Sequence, residues 1–371
     1  MAEAQERLLV IAAGGTGGHM FPAQALAQEM LRRGWRVALS TDERGLRYAD
    51  GFPDAVERRE TKAATLSQGS LLDKARAPFE ILAGASETVR WFQEARPSAV
   101  AGFGGYPSLP ALAAAWRLGL PRLIHEQNGV LGKVNALFAT RVDALAAGVQ
   151  PIRNLPPGTR LAFTGNPLRD AARAVCGTPY APPAAGGEIR LLVFGGSQGA
   201  RVFADMVPPA VALLPEALRE RIVLVQQVRE EDRARVQAVY ASAGIHGELA
   251  PFFSDLPETM AAAHLIIARA GASSIAEITA IGRPSILAPY PHAAGDHQTA
   301  NAAALRKAGA AVVTPDAEMT PQGLAATLEA LFAEPERLTE MAVAAKALGR
   351  PNAAERLADL TEKVARGDAV G

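Results

Sequence analysis

The sequence contains one cysteine, few aromatic residues and no excess of either charge. The single thiol, Cys176, can form neither an internal disulfide nor a cysteine metal cage, which is typical of a reducing compartment. Basic and acidic side chains both number 38, so no global basic field exists to attract nucleic acid. We therefore expect a cytoplasmic protein without a nucleic-acid partner.

Export signals and membrane-spanning segments are also missing from the pattern. The first seven residues carry two glutamates where a signal peptide would have a basic start. The longest uncharged stretch, residues 97–116, holds three prolines and three glycines, which would break a spanning helix. What the chain does have is 371 residues, 49% of them apolar, which is enough for two large globular domains.

Strand-like and helix-like stretches alternate along both halves, as is typical of α/β proteins with parallel sheets. Each half begins with an apolar strand that runs into a glycine-rich turn, at residues 14–18 and 195–199. Residues 1–165 carry 19 basic and 15 acidic side chains, so the basic excess belongs to the first half. We predict two Rossmann-like domains facing each other across a cleft: residues 1–166, to which the helix-like stretch 351–371 returns, and residues 167–350.

The pattern also predicts individual elements. Helices are expected at Pro22–Arg33, with Pro22 in the first turn and Gly34 closing the helix, and at Leu109–Leu118. The predicted strands are Leu8–Ala13, Val37–Ser40, Ser98–Ala101, Arg122–His125, Leu191–Phe194, Ile222–Gln226, His264–Ala268 and Ser285–Pro289.

Glycine-rich turns between a strand and a helix gather backbone N–H groups at the positive end of the helix dipole, which suits a phosphate. The first turn does not match the dinucleotide fingerprint, because Met20 stands where the third glycine belongs. This mismatch disfavours a nicotinamide-dependent oxidoreductase. A tight turn without a ligand remains the alternative.

Polar side chains follow three predicted turns of the first half: His19, Tyr106, His125, Glu126 and Asn128. We expect them at one carboxyl edge of the sheet. A helix N-terminus disfavours an imidazolium, so His19 could be a neutral proton acceptor, with a capping or packing histidine as the alternative.

In the second half, a small-residue turn precedes a helix start at residues 271–277. Ser273 and Ser274 are predicted to cap this helix, and their amides could hold a diphosphate. Glu277 could accept hydrogen bonds from a ribose, or it could be a solvated helix residue. The chain has no Asp-x-Asp triplet and no supported metal-ligand spacing, so we expect neither a metal nor a cofactor.

Taken together, these motifs resemble the MurG family, the UDP-GlcNAc transferases that convert lipid I to lipid II in peptidoglycan synthesis. The resemblance spans nearly the whole chain. The matching segments are residues 14–19, 104–108, 125–129, 164–169, 195–200 and 271–277, with Gln298 and Asn301 completing the series.

The resemblance implies a GT-B glycosyltransferase fold and an inverting transfer of GlcNAc to the C4 hydroxyl of lipid-linked MurNAc-pentapeptide. His19 and Glu126 are the implied candidate bases. Acceptor contacts are expected at Gly104, Gly105, Tyr106 and His125. The implied UDP-GlcNAc contacts are Thr16, Gly17, Gly18, Asn128, Arg169, Ser197, Phe253, Ala272, Ser273, Ser274, Ile275, Ala276, Glu277 and Gln298.

A lipid-linked acceptor implies a membrane surface as partner. We expect a peripheral protein on the cytoplasmic face of the inner membrane, with other cell-wall synthesis proteins as candidate partners. An apolar patch rimmed by positive charge is expected from Leu71, Leu72, Phe79, Ile81, Leu82 and Trp116, with Lys74, Arg76, Arg90 and Arg117; ordinary core packing is the alternative. A UDP-sugar 2-epimerase and a non-catalytic nucleotide-sugar-binding regulator remain alternative functions.

Overall fold

A computed structural model describes residues 6–14, 17–47, 49–61, 84–196 and 199–370. The chain forms two compact units. One comprises Met1–Arg169 with Asn352–Gly371, and the other comprises Asp170–Pro351. Each unit has its own parallel sheet, and both sheets bury their apolar strands against helices.

The first unit contains a seven-stranded sheet. Its strands are β1 (Leu8–Ala12), β2 (Arg36–Thr41), β3 (Glu57–Glu60), β4 (Ala99–Gly102), β5 (Arg122–Glu126), β6 (Ala144–Ala147) and β7 (Leu161–Phe163). Its helices are α1 (Gly17–Arg32), α2 (Glu43–Leu46), α3 (helical over 84–95), α4 (Leu109–Leu118), α5 (Lys133–Phe138) and a last helix (Ala353–Arg366). The strand order is β3-β2-β1-β4-β5-β6-β7, so the loops after β1, β4 and β5 leave adjacent positions at one edge.

The second unit contains a six-stranded parallel sheet. Its strands are β8 (Ile189–Phe194), β9 (Ile222–Gln227), β10 (Gly247–Ala250), β11 (Leu265–Arg269), β12 (Ser285–Ala288) and β13 (Ala311–Val313). Its helices are α6 (Asp170–Ala174), α7 (Arg201–Ala212), α8 (Glu216–Arg219), α9 (Glu230–Ser242), α10 (Leu256–Ala262), α11 (Ala272–Ile281), α12 (His297–Lys307), α13 (Pro321–Ala333) and α14 (Pro335–Leu348). The order β10-β9-β8-β11-β12-β13 places β9 between β8 and β10.

The predicted strands are confirmed to within two residues at each end, and the helix Leu109–Leu118 is confirmed in full. The placement of Pro22 in the first turn is wrong, because the glycine-rich segment itself enters the helix and α1 begins at Gly17. Pro22 is therefore an interior residue that cannot donate to Gly18, and Gly18 is exposed. Gly34 ends the helix as predicted, where the Trp35 N–H donates to Met30 O.

The last helix, α15 (Ala353–Arg366), packs on α1 of the first unit and buries Leu357 and Leu360. Arg33 joins the two helices, with Nη1 2.7 Å from Asp359 Oδ1 and 3.2 Å from Glu362 Oε2. In the part of the chain that the structure describes, no helix is long and apolar enough to cross a membrane.

Candidate active site

The loops after β1 and β4 of the first unit contact each other at the carboxyl edge of the sheet. A Cβ added at Gly14 would lie 2.6 Å from Pro107 Cγ, which shows how closely the two turns approach. The parallel pairing of β1 with β4, and of β4 with β5, confirms that the three turns share one edge. Thr16, a predicted donor contact, lies outside the described residues.

His19 is half-buried beside the turn that follows β4. A Cβ added at Gly104 would lie 3.4 Å from His19 Nε2 and also 3.4 Å from Asn135 Nδ2, so the two nitrogens are no more than twice that distance apart. Gly104 and Gly105 have φ values of +86° and +74°, which side chains with a Cβ rarely adopt. Because neither glycine of this turn has a side chain, the turn does not cover the adjacent edge of the His19 imidazole.

Glu126, the last residue of β5, has a fully occupied carboxylate. Oε1 accepts from Asn128 N at 3.1 Å and Asn128 Nδ2 at 3.4 Å, while Oε2 accepts from Gly132 N and Asn135 Nδ2, each at 2.9 Å. Burial raises the pKa of Glu126, and these four donors oppose the rise. The carboxylate thus holds the loop at 128–132 and the start of α5 around itself.

His125 is buried, with its ring centroid 5.4 Å from that of Phe103. Its Nε2 lies 3.2 Å from Gly165 O, so the neutral ring must carry its proton on Nε2 to make this hydrogen bond. Burial lowers the pKa of His125 to about 4. The structure therefore places this predicted acceptor contact beneath the surface, where its side chain supports the loop that begins at Gly165.

Arg169, at the end of the first unit, stacks its guanidinium 4.6 Å from the ring centroid of Phe21 on α1. Gly17 and Gly18, predicted donor contacts, form the first turn of the same helix. The Asn166 amide, in the segment leading to Arg169, is buried, and neither of its polar atoms has a partner among the described residues.

In the second unit, the glycine-rich turn after β8 is fixed by close packing. A Cβ added at Gly195 would lie 2.3 Å from Ala200 N, so only glycine fits there. Gly195 N also donates to Gln227 Oε1 at 2.9 Å. Ser197, the predicted donor contact of this turn, lies outside the described residues.

The predicted capping of α11 by Ser273 or Ser274 is wrong. The helix begins at Ala272 and its N-cap is Gly271, so both serines already belong to the first turn. Ser273 Oγ is buried without a hydrogen-bond partner in the described chain, and Glu277 is buried one turn further along. The positive end of α11 and these polar groups lie at the carboxyl end of β11.

Helix α12 holds the loop in front of α11. Gln298 Oε1 accepts from Ala270 N at 3.1 Å and from Tyr290 N at 2.9 Å, while Asn301 Nδ2 donates to Ala270 O at 3.1 Å. Phe253, a predicted UDP-GlcNAc contact, is buried in the loop after β10. The described residues of this unit that were predicted to contact UDP-GlcNAc thus follow β10, β11 and β12.

The sequence interpretation missed two side chains that organise these loops, Asn135 and Gln227. Asn135 Nδ2 bonds both to Glu126 Oε2 and, at 3.1 Å, to His125 O. Gln227 could have been noticed as a polar residue ending an apolar strand; Asn135 gives no comparable signal. Among the described residues, no cluster of three or more histidine, cysteine or acidic side chains could hold a metal ion.

Comparisons with known proteins agree with this architecture. Residues 9–147 match the glycosyltransferase family 28 N-terminal domain, and residues 190–357 match the family's C-terminal domain. The chain is 46% identical over 98% of its length to a Chelativorans sp. (strain BNC1) protein named UDP-N-acetylglucosamine--N-acetylmuramyl-(pentapeptide) pyrophosphoryl-undecaprenol N-acetylglucosamine transferase, of which 97% is covered. A Mesorhizobium japonicum protein of the same name is 48% identical, with 96% of this chain and 95% of that protein covered.

The crystal structure of Acinetobacter baumannii MurG superimposes with a TM-score of 0.80 at 31% identity, covering 96% of this chain and 99% of that one. Two parallel sheets with their helices, both family 28 domains and this structural match confirm the predicted GT-B fold. The chain therefore belongs to the MurG family of glycosyltransferases.

Proposed function

We propose that this protein transfers GlcNAc from UDP-GlcNAc to the C4 hydroxyl of the MurNAc-pentapeptide in lipid I, giving lipid II and UDP with inversion at C1. The observation that carries this proposal is the likeness, over nearly the whole chain, to relatives named for this transferase activity. The loop geometry supports it, because a partly exposed imidazole lies among glycine turns at one sheet edge.

His19 is the better of the two candidate bases. In the reaction, the C4 oxygen bonds to C1 of GlcNAc, the bond from C1 to the UDP oxygen breaks with its electron pair leaving on UDP, and the hydroxyl proton goes to the base. Both oxygens of Glu126 already accept hydrogen bonds, and its side chain is buried. We therefore assign proton removal to His19 and the positioning of the surrounding loop to Glu126.

In the second unit, UDP-GlcNAc contacts are assigned to the loops after β10, β11 and β12. In the first unit, the contacts that the resemblance implies at Arg169, Asn128 and the first turn of α1 stay predictions. Ala272–Glu277 would meet the diphosphate and ribose with backbone N–H groups and the Glu277 carboxylate, since a helix N-terminus favours an anion. Gln298 already uses Oε1 within the protein, which leaves its Nε2 to donate to a sugar hydroxyl. Phe253 would contribute its backbone to the uracil.

The acceptor is assigned to the turn after β4. Gly104, Gly105 and Tyr106 would contact the sugar next to His19, and His125 would act from below by holding Gly165. The absence of a Cβ at Gly104 leaves room for a hydroxyl beside the imidazole.

An exposed surface of the first unit suits a lipid bilayer. Trp116 on α4 is 53% exposed and Leu137 on α5 is 49% exposed. Arg141 links them, since its guanidinium lies 5.6 Å from the Trp116 ring centroid and donates to Leu137 O. Arg117 and Arg90 are exposed as well; the other predicted patch residues, Leu71, Leu72, Lys74, Arg76, Phe79, Ile81 and Leu82, lie outside the described residues. We assign this surface to peripheral binding at the cytoplasmic face of the inner membrane.

The membrane assignment is tested by sedimentation with vesicles of anionic and of zwitterionic lipids. Trp116→Ser combined with Leu137→Ser should lower the bound fraction on anionic vesicles. The matched control is Val343→Ser combined with Leu213→Ser, two exposed apolar residues of the second unit, which should leave binding unchanged. Equal binding by both double variants would refute the assignment.

The transfer itself is tested by mass spectrometry after incubation with UDP-GlcNAc and a lipid I analogue, with and without a chelator. We expect one added GlcNAc on the lipid, and a β anomeric proton in the product by NMR. Conversion of UDP-GlcNAc in the absence of acceptor would identify an epimerase instead. Tight UDP-GlcNAc binding with neither product would favour a regulator.

A further inference from the structure

Gln227 occupies the last position of β9, the strand between β8 and β10 in the second sheet. Because the three strands are parallel, the loops that leave β8 and β10 lie on either side of Gln227. Neighbouring strands are about 4.8 Å apart, so these two loops are separated by about 10 Å. A side chain at the end of the central strand is the group best placed to touch both.

The Gln227 amide uses both of its polar atoms on these loops. Oε1 accepts from Gly195 N at 2.9 Å, while Nε2 donates to Gly196 O and to Pro251 O, each at 3.0 Å. The residue is only 8% exposed, so water has little access to compete for these hydrogen bonds. The bonding pattern needs one acceptor and two donors on a single planar group, which is what a carboxamide provides.

We propose that Gln227 is a positioning residue that fixes the spacing between Gly195–Gly196, directly after β8, and the Pro251–Phe253 loop, and thereby sets the affinity for the nucleotide of the donor. The inference rests on the proposed function, in which Ala272–Glu277 after β11 would meet the diphosphate and Phe253 after β10 would meet the uracil; β8, which Gly195–Gly196 follow, lies beside β11. A nucleoside diphosphate would contact both places at once. A change in the distance between them therefore weakens the binding of the whole ligand, even when each keeps its own conformation.

The neighbouring glutamine provides an internal comparison. Gln226 points to the opposite face of the sheet, where its Oε1 accepts from Tyr240 at 2.5 Å and its Nε2 donates to Phe203 O at 3.3 Å. It is fully buried in the core, and its side-chain hydrogen bonds go to helices α7 and α9. A destabilising substitution at Gln226 therefore shows how lost stability alone affects UDP affinity.

The decisive variant is Gln227→Glu. An ionised carboxylate still accepts from Gly195 N but presents a second acceptor to two carbonyl oxygens, whereas the protonated acid regains one donor. The nearest charged side chain along the chain, Arg229, pairs with Asp232 at 2.6 Å and with Glu231 at 3.1 Å. Lowering the pH should therefore restore function selectively in this variant.

The readouts are the UDP dissociation constant by calorimetry, and kcat and KM for UDP-GlcNAc and for a lipid I analogue, from about pH 5.5 to about pH 8.5. For Gln227→Glu at the upper pH we expect UDP affinity and UDP-GlcNAc KM to worsen roughly tenfold or more, with recovery towards wild type as pH falls. Gln227→Met, which keeps the length but makes no such bonds, should show a comparable loss at every pH. The lipid I KM should stay within about twofold.

The controls are Gln226→Glu and the milder Tyr240→Phe, both expected to lower thermal stability without a pH-dependent change in UDP affinity. Wild-type UDP affinity retained by Gln227→Met and by Gln227→Glu at high pH would overturn the inference. The same would follow if the Gln226 and Gln227 variants lost affinity alike. Because UDP binding needs no acceptor, these results are separate from the transfer assay: a wild type that binds UDP but makes no lipid II refutes the proposed function while leaving Gln227 testable.

Discussion

Replacing Gly104 with alanine should separate the cost of a backbone conformation from the cost of a blocked site. At φ +86°, a residue with a Cβ pays about 1 to 2 kcal/mol of steric strain. The added methyl would also lie 3.4 Å from His19 Nε2 and 3.4 Å from Asn135 Nδ2. A general base must come within about 3 Å of the hydroxyl that it deprotonates, so the methyl occupies space that the acceptor needs.

The control is Gly119→Ala, at the end of α4. Gly119 has a φ of +65°, and an added Cβ there meets no atom within 4 Å. Both variants should therefore lose a similar 1 to 2 kcal/mol of unfolding free energy, measured by urea denaturation of the purified proteins. Only Gly104→Ala should lose activity, because only its methyl reaches the imidazole.

The expected loss for Gly104→Ala is roughly 10- to 100-fold in kcat, at a temperature where both variants are fully folded, with UDP affinity unchanged. Gly104→Ala with wild-type kcat would show that the hydroxyl does not approach this edge of His19. Equal losses of kcat in both variants would show that backbone strain, and not occupation of the site, explains the effect.

Three further outcomes are expected. His19→Ala should reduce kcat by about 10²- to 10⁴-fold while leaving calorimetric UDP affinity intact, and unchanged turnover would remove it as the base. Glu277→Ala should raise the UDP-GlcNAc KM by roughly 10- to 100-fold with little change in lipid I KM, and an unchanged donor KM would refute its assignment. Because burial lowers the pKa of folded His125 to about 4, below its ordinary value of 6.5, the unfolded state binds more protons between these two pH values. The stability gained from keeping His125 neutral is therefore complete above pH 6.5 and is lost as pH falls towards 4, by up to about 3 kcal/mol. His125→Gln should flatten the dependence of the unfolding free energy on pH in this range. An unchanged dependence would refute the lowered pKa of His125.

The central strands of both sheets were predictable from sequence, and the edge strands were not. β1 and β4 carry no polar side chain, and β8 and β11 each contain a run of four apolar residues, because helices cover both faces of the sheets. β5 has only Leu123 and Ile124 between polar ends. β3, whose sequence is Glu-Arg-Arg-Glu, is exposed throughout and is recognisable only through its pairing with β2. β7, β10 and β13 are also edge strands, and the alanine-rich β6 has the composition of a helix.

The positions of the candidate site loops followed from the sequence for a similar reason. A glycine turn after a buried strand must reach the carboxyl edge of a parallel sheet, which places His19, Glu126 and the start of α11 correctly. The hydrogen bonds that occupy the Glu126 carboxylate did not follow. They depend on Asn135, which reaches Glu126 only because α5 folds back onto β5.

The packing of α15 on α1 has a consequence for the order in which the protein forms. Residues 170–351, the whole second unit, are synthesised before α15 exists. Until α15 is made, the surface of the first unit that receives Leu357 and Leu360 stays uncovered, and Arg33 and Trp35 lack their partners Asp359 and Glu362. During translation, the second unit can therefore complete its fold before α15 packs on the first unit.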